Sequence, residues 1–136
     1  MGTVYADITL KNVKDITLAE NGHINAEDVR EVNVTSVVDT GAETLCITED
    51  IFKKLGLGIE KRKLATVAEG RRVDCTVSTP VKIHWDDRDS VVRAVVLSDS
   101  QEILLGAIPL EEMDLIVDPQ KLKVIGAHGD KPIARI

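Results

Sequence analysis

Asp39, Thr40 and Gly41 form a triplet with a chemical use. They follow the apolar pair Val37-Val38, which suggests a strand diving into a core, and they precede Ala42. A carboxylate at the end of a buried strand sits at low dielectric and close to backbone donors, a setting suited to acid–base work. The Thr40 hydroxyl can lock the loop. Gly41 lets the backbone turn tightly and approach a second chain or a substrate. Alone the triplet is a weak signal, because an Asp also serves simply to turn a strand into a loop.

The other reactive side chains form no such constellation. His23, His84 and His128 are widely spaced, with no Cys or carboxylate at ligand spacing, so neither a metal nor a cofactor is expected. Cys46 and Cys75 are too far apart for a CxxC motif. They read as two small buried hydrophobes, with a disulfide as the other possibility. Asp86, Asp87 and Asp89 lack the loop length and terminal Glu of a calcium hand and read as a solvated turn. Asp118 precedes Pro119 and belongs to a turn. Lys61-Arg62-Lys63 and Arg71-Arg72 read as solvated edge charges that deter sheet-to-sheet aggregation. A second use for them is to draw acidic substrates.

The elements that must position the triplet are mostly short strands. Val4, Ala6, Ile8 and Leu10 alternate over residues 3–10, and residues 29–38 give a second strand. Asn21-Gly22 is a turn signal. Residues 48–55 read as a helix capped by Thr48, with Glu49 and Asp50 in its first turn, Lys53 and Lys54 in its last, and Gly56 ending it. Residues 62–85 read as a long hairpin turning near Glu69-Gly70, with Pro80 at an edge or bend. Further strands are expected at 91–97, 103–105, 115–117 and 122–125, with a short helix around Pro109. Residues 126–136 form a loose end or an extended C-terminal arm used in association. One weak internal repeat stands out. Val37-Val38-Asp39-Thr40-Gly41-Ala42 and Ile103-Leu104-Leu105-Gly106-Ala107 are each an apolar strand running into Gly-Ala and then a helix.

Length and composition bound the rest. A chain of 136 residues is one ordinary domain. Aromatics are 2%, so the core must be built from Val, Ile, Leu and Ala, and no stacking platform for single-stranded nucleic acid exists. A net charge of -6 argues against a grip on phosphate backbones. Residues 1–10 show no basic start followed by an apolar run, and no apolar stretch approaches the ~20 residues that span a bilayer. No nucleic-acid or membrane partner is expected, and the expected setting is cytoplasmic.

Together these elements resemble the retropepsin-like aspartic proteases and their small bacterial and cellular relatives. The resemblance is carried by Val37 to Ala42, by the helix with Leu55-Gly56-Leu57, by the hairpin tipped with Ala68-Glu69-Gly70, by Ile103-Leu104-Leu105-Gly106, and by Leu115-Ile116-Val117-Asp118-Pro119. It covers most of the chain and implies one all-β domain over residues 1–136, a closed barrel with one or two short helices. It implies an aspartic endopeptidase that acts as a homodimer on a peptide or protein substrate. Two carboxylates sharing a proton are required, and this chain carries one Asp-Thr-Gly. Asp39, Thr40 and Gly41 would form the catalytic loop of each copy. Ala42, with Ala68, Glu69 and Gly70 of the flap, would line the substrate. Three departures stand against the pattern. The chain before Asp39 is long, by a strand and the loop from Ala19 to Arg30. The flap lacks an aromatic residue. Ala107 follows Gly106 where viral members often carry a basic residue. A catalytically inactive binding or assembly module on the same fold, or an unrelated all-β domain, remains a rival reading.

Overall fold

In the computed structural model residues 2–67, 69–134 and 136 are described, and they form nine strands and three α-helices. Strand β1 (Tyr5–Asn12) buries Ala6, Ile8 and Leu10 on one face, as the alternation requires. It leads directly into α1 (Val13–Glu20), a helix that the strand pattern did not announce. Asn12 makes the junction: its side-chain oxygen accepts the Asp15 N–H at 3.2 Å, and its amide donates to Leu55 O at 2.8 Å. Asp15 is buried and accepts the Arg30 backbone N–H at 3.0 Å and its guanidinium at 2.8 and 3.0 Å. The span from Ala19 to Arg30 thus contains a helix end and a 3-10 turn at Ala26–Asp28, tied back through Arg30.

Strand β2 (Glu31–Val38) returns antiparallel to β1, with Ile8 opposite Val34. After the Asp39 loop come β3 (Leu45–Ile47) and α2 (Glu49–Lys54). Thr48 caps α2 by accepting the Ile51 N–H at 3.3 Å, and Gly56 ends it at φ +62°. The long hairpin is β4 (Ile59–Thr66) and β5 (Arg72–Trp85), followed by β6 (Arg88–Val96). The β5–β6 register shifts between Val77 and Pro80, so Pro80 occupies an irregularity inside a central strand rather than an edge. Next come β7 (Leu104–Leu105), α3 (Ala107–Glu112) and a separate two-stranded sheet of β8 (Leu115–Asp118) and β9 (Lys123–Gly126).

The main sheet runs β1-β2-β7-β3-β6-β5-β4, and β1 also pairs with β5 through Leu10 and Ile83. Six strands therefore form a ring, and β4 is left on its outside edge. Fully buried Leu10, Leu45, Ile47, Leu55, Val81, Ile83 and Leu105 fill it. Phe52 and Trp85 only pack against this cluster from partly buried positions, so the ring is filled by aliphatic side chains.

The acidic turn before β6 is solvated at Asp86, Asp87 and Asp89 but hides a buried cation. That cation is Arg88, between Asp87 and Asp89. Its guanidinium donates to Met113 O at 3.0 Å, Asp114 O at 2.7 Å and Gly129 O at 2.6 Å. Asp114 accepts the His128 ring at 2.8 Å and the Ile133 N–H at 3.0 Å, so residues after β9 are held against the α3–β8 junction. Among the described residues no helix is long and apolar enough to cross a membrane.

The Arg30 guanidinium bonded to Asp15 holds that carboxyl below its ordinary value of 3.8, against the opposing effect of burial. A depressed carboxyl contributes stability that is whole above the unfolded pKa and is lost as pH falls through the folded one. Asp15→Ala should therefore cost about 1 kcal/mol at neutral pH through the lost bonds to the Arg30 backbone and guanidinium, the latter half-exposed and able to turn to water. In a series of thermal melts the gap from the parent should narrow as pH falls below the ordinary carboxyl value of 3.8. A constant gap across that range would contradict the assignment.

Candidate active site

Asp39 is placed by three backbone hydrogen bonds at the end of β2. Val37 N donates to Ile103 O at 2.7 Å, Val38 N to Val4 O at 2.8 Å, and Asp39 N to Leu105 O at 3.0 Å. Strand β7 thus lies parallel to β2, with Val37 opposite Leu104 and Val38 opposite Leu105. The two halves of the internal repeat are paired side by side. One step further along this register, Gly106 stands opposite Asp39. The second half offers no carboxylate at the matching position.

The loop that follows is fixed from both sides. Asp39 Oδ1 accepts the Gly41 N–H at 2.9 Å, and Ala42 N donates to Asp39 O at 3.1 Å, a tight Asx-type turn. The start of α3 then holds the loop: Ala107 N donates to Ala42 O and Ile108 N to Glu43 O, each at 2.8 Å. This contact explains Gly106. A Cβ there would lie 2.6 Å from Ala42 O and 2.8 Å from Thr44 N, and would overlap Thr44 O. Asp39 is partly buried as a residue but its carboxylate is not sealed from solvent, and Thr40 beside it is exposed.

Asp39 opens onto a cleft of about 720 Å³. Gly41, Ala42 and Glu43 line it beside Asp39, Cys46 adds its side from β3, and residues 63–67 of the hairpin form the facing wall. The expected Asp39, Gly41 and Ala42 are therefore together. Glu69 and Gly70 sit at the hairpin tip, past the lining stretch, where Gly70 takes φ +78° and its N–H donates to Val67 O at 2.8 Å. Ala68, also expected at the tip, lies outside the described residues.

Glu43 is a cleft residue that sequence reasoning passed over, while Cys46, read as a buried hydrophobe, and Lys63, read as an edge charge with a second use in drawing acidic substrates, also line the cleft. For Lys63 a signal was present. A turn at Glu69 makes Lys63 the cross-strand partner of Cys75, the register observed. For Cys46 there was none, because β3 owes its place to pairings with β7 and β6. The Cys46 thiol is pushed up to about 11, by burial first and then by Cys75 and Asp39, with Lys63 opposing. Burial, then Asp74, raises the Cys75 thiol as well. Both stay protonated at neutral pH and are poor nucleophiles. They are free thiols, and β6 lies between their strands, with Cys46 opposite Val95 and Val95 opposite Val77. Two strand spacings come to roughly 10 Å, against the ~6 Å between Cα atoms of a disulfide. Among the described residues no three His, Cys, Asp or Glu side chains gather as a metal site.

The sequence matches the family described as gag-polyprotein putative aspartyl protease over residues 21–112. That stretch runs from the turn after α1 to the end of α3 and includes the Asp39 loop, the hairpin and Gly106. The chain belongs to this family of retropepsin-like aspartic proteases. No curated protein matches it.

Because α3 and the Asp39 loop meet backbone to backbone at Gly106, Gly106→Ala should cost about 1–3 kcal/mol through overpacking. Amide exchange at Ala107 and Ile108 should quicken along with a lower melting temperature. Unchanged exchange at both amides would show that the loop has slack to absorb a methyl group.

Proposed function

We propose that this chain is an aspartic endopeptidase whose active form is a homodimer of retropepsin-like barrels. The ring of six strands supports the closed barrel, with residues 1–136 as one domain. The observation that carries the functional reading is the Asp39–Gly106 register. Family membership calls for an acid pair, yet the position matching Asp39 in the second half of the chain is a glycine. A second copy supplies the missing acid when a two-fold axis brings the two Asp39 loops together.

The chemistry follows from two carboxyl groups at close range. Both cannot ionise readily, so they share one proton and titrate as a unit. The ionised carboxylate takes a proton from a water lying between the two acids. The water oxygen bonds to the scissile carbonyl carbon, and the protonated acid hydrogen-bonds the carbonyl oxygen. Return of a proton to the amide nitrogen breaks the C–N bond and releases amine and acid. Thr40, exposed next to Asp39, is free to reach the other loop and tie the pair across the axis. An extended peptide would lie in the cleft against the hairpin and use its backbone groups as an added strand. Ala42 would touch it from below, and the tip residues Ala68, Glu69 and Gly70 would close over it.

Asp39→Asn should abolish peptide cleavage. Its circular dichroism and sedimentation should remain those of the parent, because Asn keeps the side-chain oxygen that accepts the Gly41 N–H. Cleavage surviving in that variant, or a parent that stays monomeric at concentrations where it cuts, would reject the mechanism. The rate should also be higher in acid than at neutral pH, since the dyad works only while it keeps its shared proton. A kcat/KM that still climbs above neutrality would contradict a shared-proton pair.

A further inference from the structure

The hairpin over residues 59–73 is a cationic island on an acidic chain. It carries Lys61, Arg62, Lys63, Arg71 and Arg72 against Glu60 and Glu69, in a protein of net charge -6. Of the nearby carboxylates, Glu69 meets Arg71 at 3.7 Å and Glu60 meets Arg93 at 3.7 Å, while Asp74, opposite Leu64, lies on the other face from Lys61 and Lys63. Among the described residues, Lys61, Arg62, Lys63 and Arg72 have no carboxylate within 4 Å.

The strand register sorts these cations by face. Directly opposed residues of an antiparallel pair point to the same side. Lys61 is opposite Val77 and Lys63 opposite Cys75, both buried, so the two lysines share the inward face. Arg62 opposite Thr76 and Arg72 opposite Thr66 share the other. Lys63 lines the same cleft as Asp39 and Glu43, and neither acid is within ion-pairing distance of it.

We propose that Lys63, backed by Lys61 two residues along the same face, is a specificity-determining residue that selects peptides carrying an acidic side chain next to the bond to be cut. The proposal rests on the protease reading for the word "cut", but not for the binding preference. Lys63 is exposed although it lines the cleft, so the attraction it offers is modest and weakens with salt. A substrate carboxylate placed there gains a partner that the chain itself does not provide. A neutral amide gains only a hydrogen bond, and a basic side chain is repelled. In a dimer each half of the cleft presents one Lys63, so an acid on either side of the bond meets the same chemistry.

The test uses the full-length Asp39→Asn protein, which would keep any bound peptide whole, and fluorescent peptides that differ only by Glu, Gln or Lys scanned through successive positions. At one or more positions the Glu peptide should bind about five-fold more tightly than its Gln twin at low salt, with the gap closing at high salt. Lys63→Met should erase the gap, Lys63→Arg should keep it, and Lys63→Glu should move the preference to the Lys peptide. Equal binding of Glu and Gln peptides, no binding of any peptide, or a Glu preference that survives in Lys63→Met would overturn the assignment. Cleavage by the protein with Asp39 intact is read in parallel. Peptides held with the Glu preference but never cut would remove the protease reading and leave Lys63 in its role. Peptides cut without that preference would do the reverse.

Discussion

Two residues of β7 hold the candidate site together. Leu104 and Leu105 receive β2 in parallel on one edge and β3 antiparallel on the other, so both ends of the Asp39 loop are anchored to a single short strand. The next residue must be glycine, because the loop backbone crosses within contact distance of its Cα, and α3 then donates its first amides to that loop. The register is enforced further back. Ser36 is fully buried on β2 and its hydroxyl donates to Ala6 O at 2.9 Å. A slip by one residue would turn every β2 side chain to the other face, Ser36 included, and cost its hydroxyl the bond to Ala6 O. The position of one carboxylate is thus specified by packing on three neighbouring strands, not by the loop that carries it.

The same pairing explains why a weak internal repeat was worth reading. Sequence similarity between Val37 to Ala42 and Ile103 to Ala107 gave no geometry by itself, but similar strand-to-helix junctions pack well in parallel, and these two do. The strongest local signals transferred well. The capped helix at Glu49–Lys54, the hairpin turning near Glu69-Gly70 and the β8 and β9 pair all follow from turn glycines, caps and alternation within a few residues. Helix α1 was hidden for the opposite reason. Val13 to Glu20 is only eight residues long and begins where the alternation of β1 stops, so the Val13–Ile16 spacing is too short a pattern to separate helix from strand. Its cap is Asn12, held by Leu55 O, and its first-turn acid is held by Arg30, partners far away in the chain. Arg88 was hidden in the same way. A charged residue among three acids reads as solvated until Met113, Asp114 and Gly129 bring their carbonyls to it.

The scarcity of aromatics has a consequence for the cleft. The ring is filled by Leu, Ile and Val, and the hairpin's inward face offers Ala65, Val67 and Val73 beside its lysines. Such a wall has no large flat side chain on which a substrate could stack, so shape alone discriminates poorly. A methylene more or less in an apolar pocket shifts affinity only modestly, whereas a fixed charge separates acidic, neutral and basic side chains by sign. In a cleft built this way, charge is the readier source of selectivity.

Strand β4 also has to solve a problem unrelated to substrates. It is the outer edge of the main sheet, exposed over nearly all its length, and an edge of eight residues invites pairing with another chain. Consecutive cations at Lys61, Arg62 and Lys63 answer that by placing like charge on both faces, so that two such edges repel. Edge protection alone is indifferent to which face a lysine occupies. It does not explain why Lys63, which lines the cleft with Asp39, lacks an acid of its own, while Glu60 and Glu69 turn to Arg93 and Arg71. The outward arginines are accounted for by the edge. Lys63, on the cleft wall, is the one that edge protection leaves over.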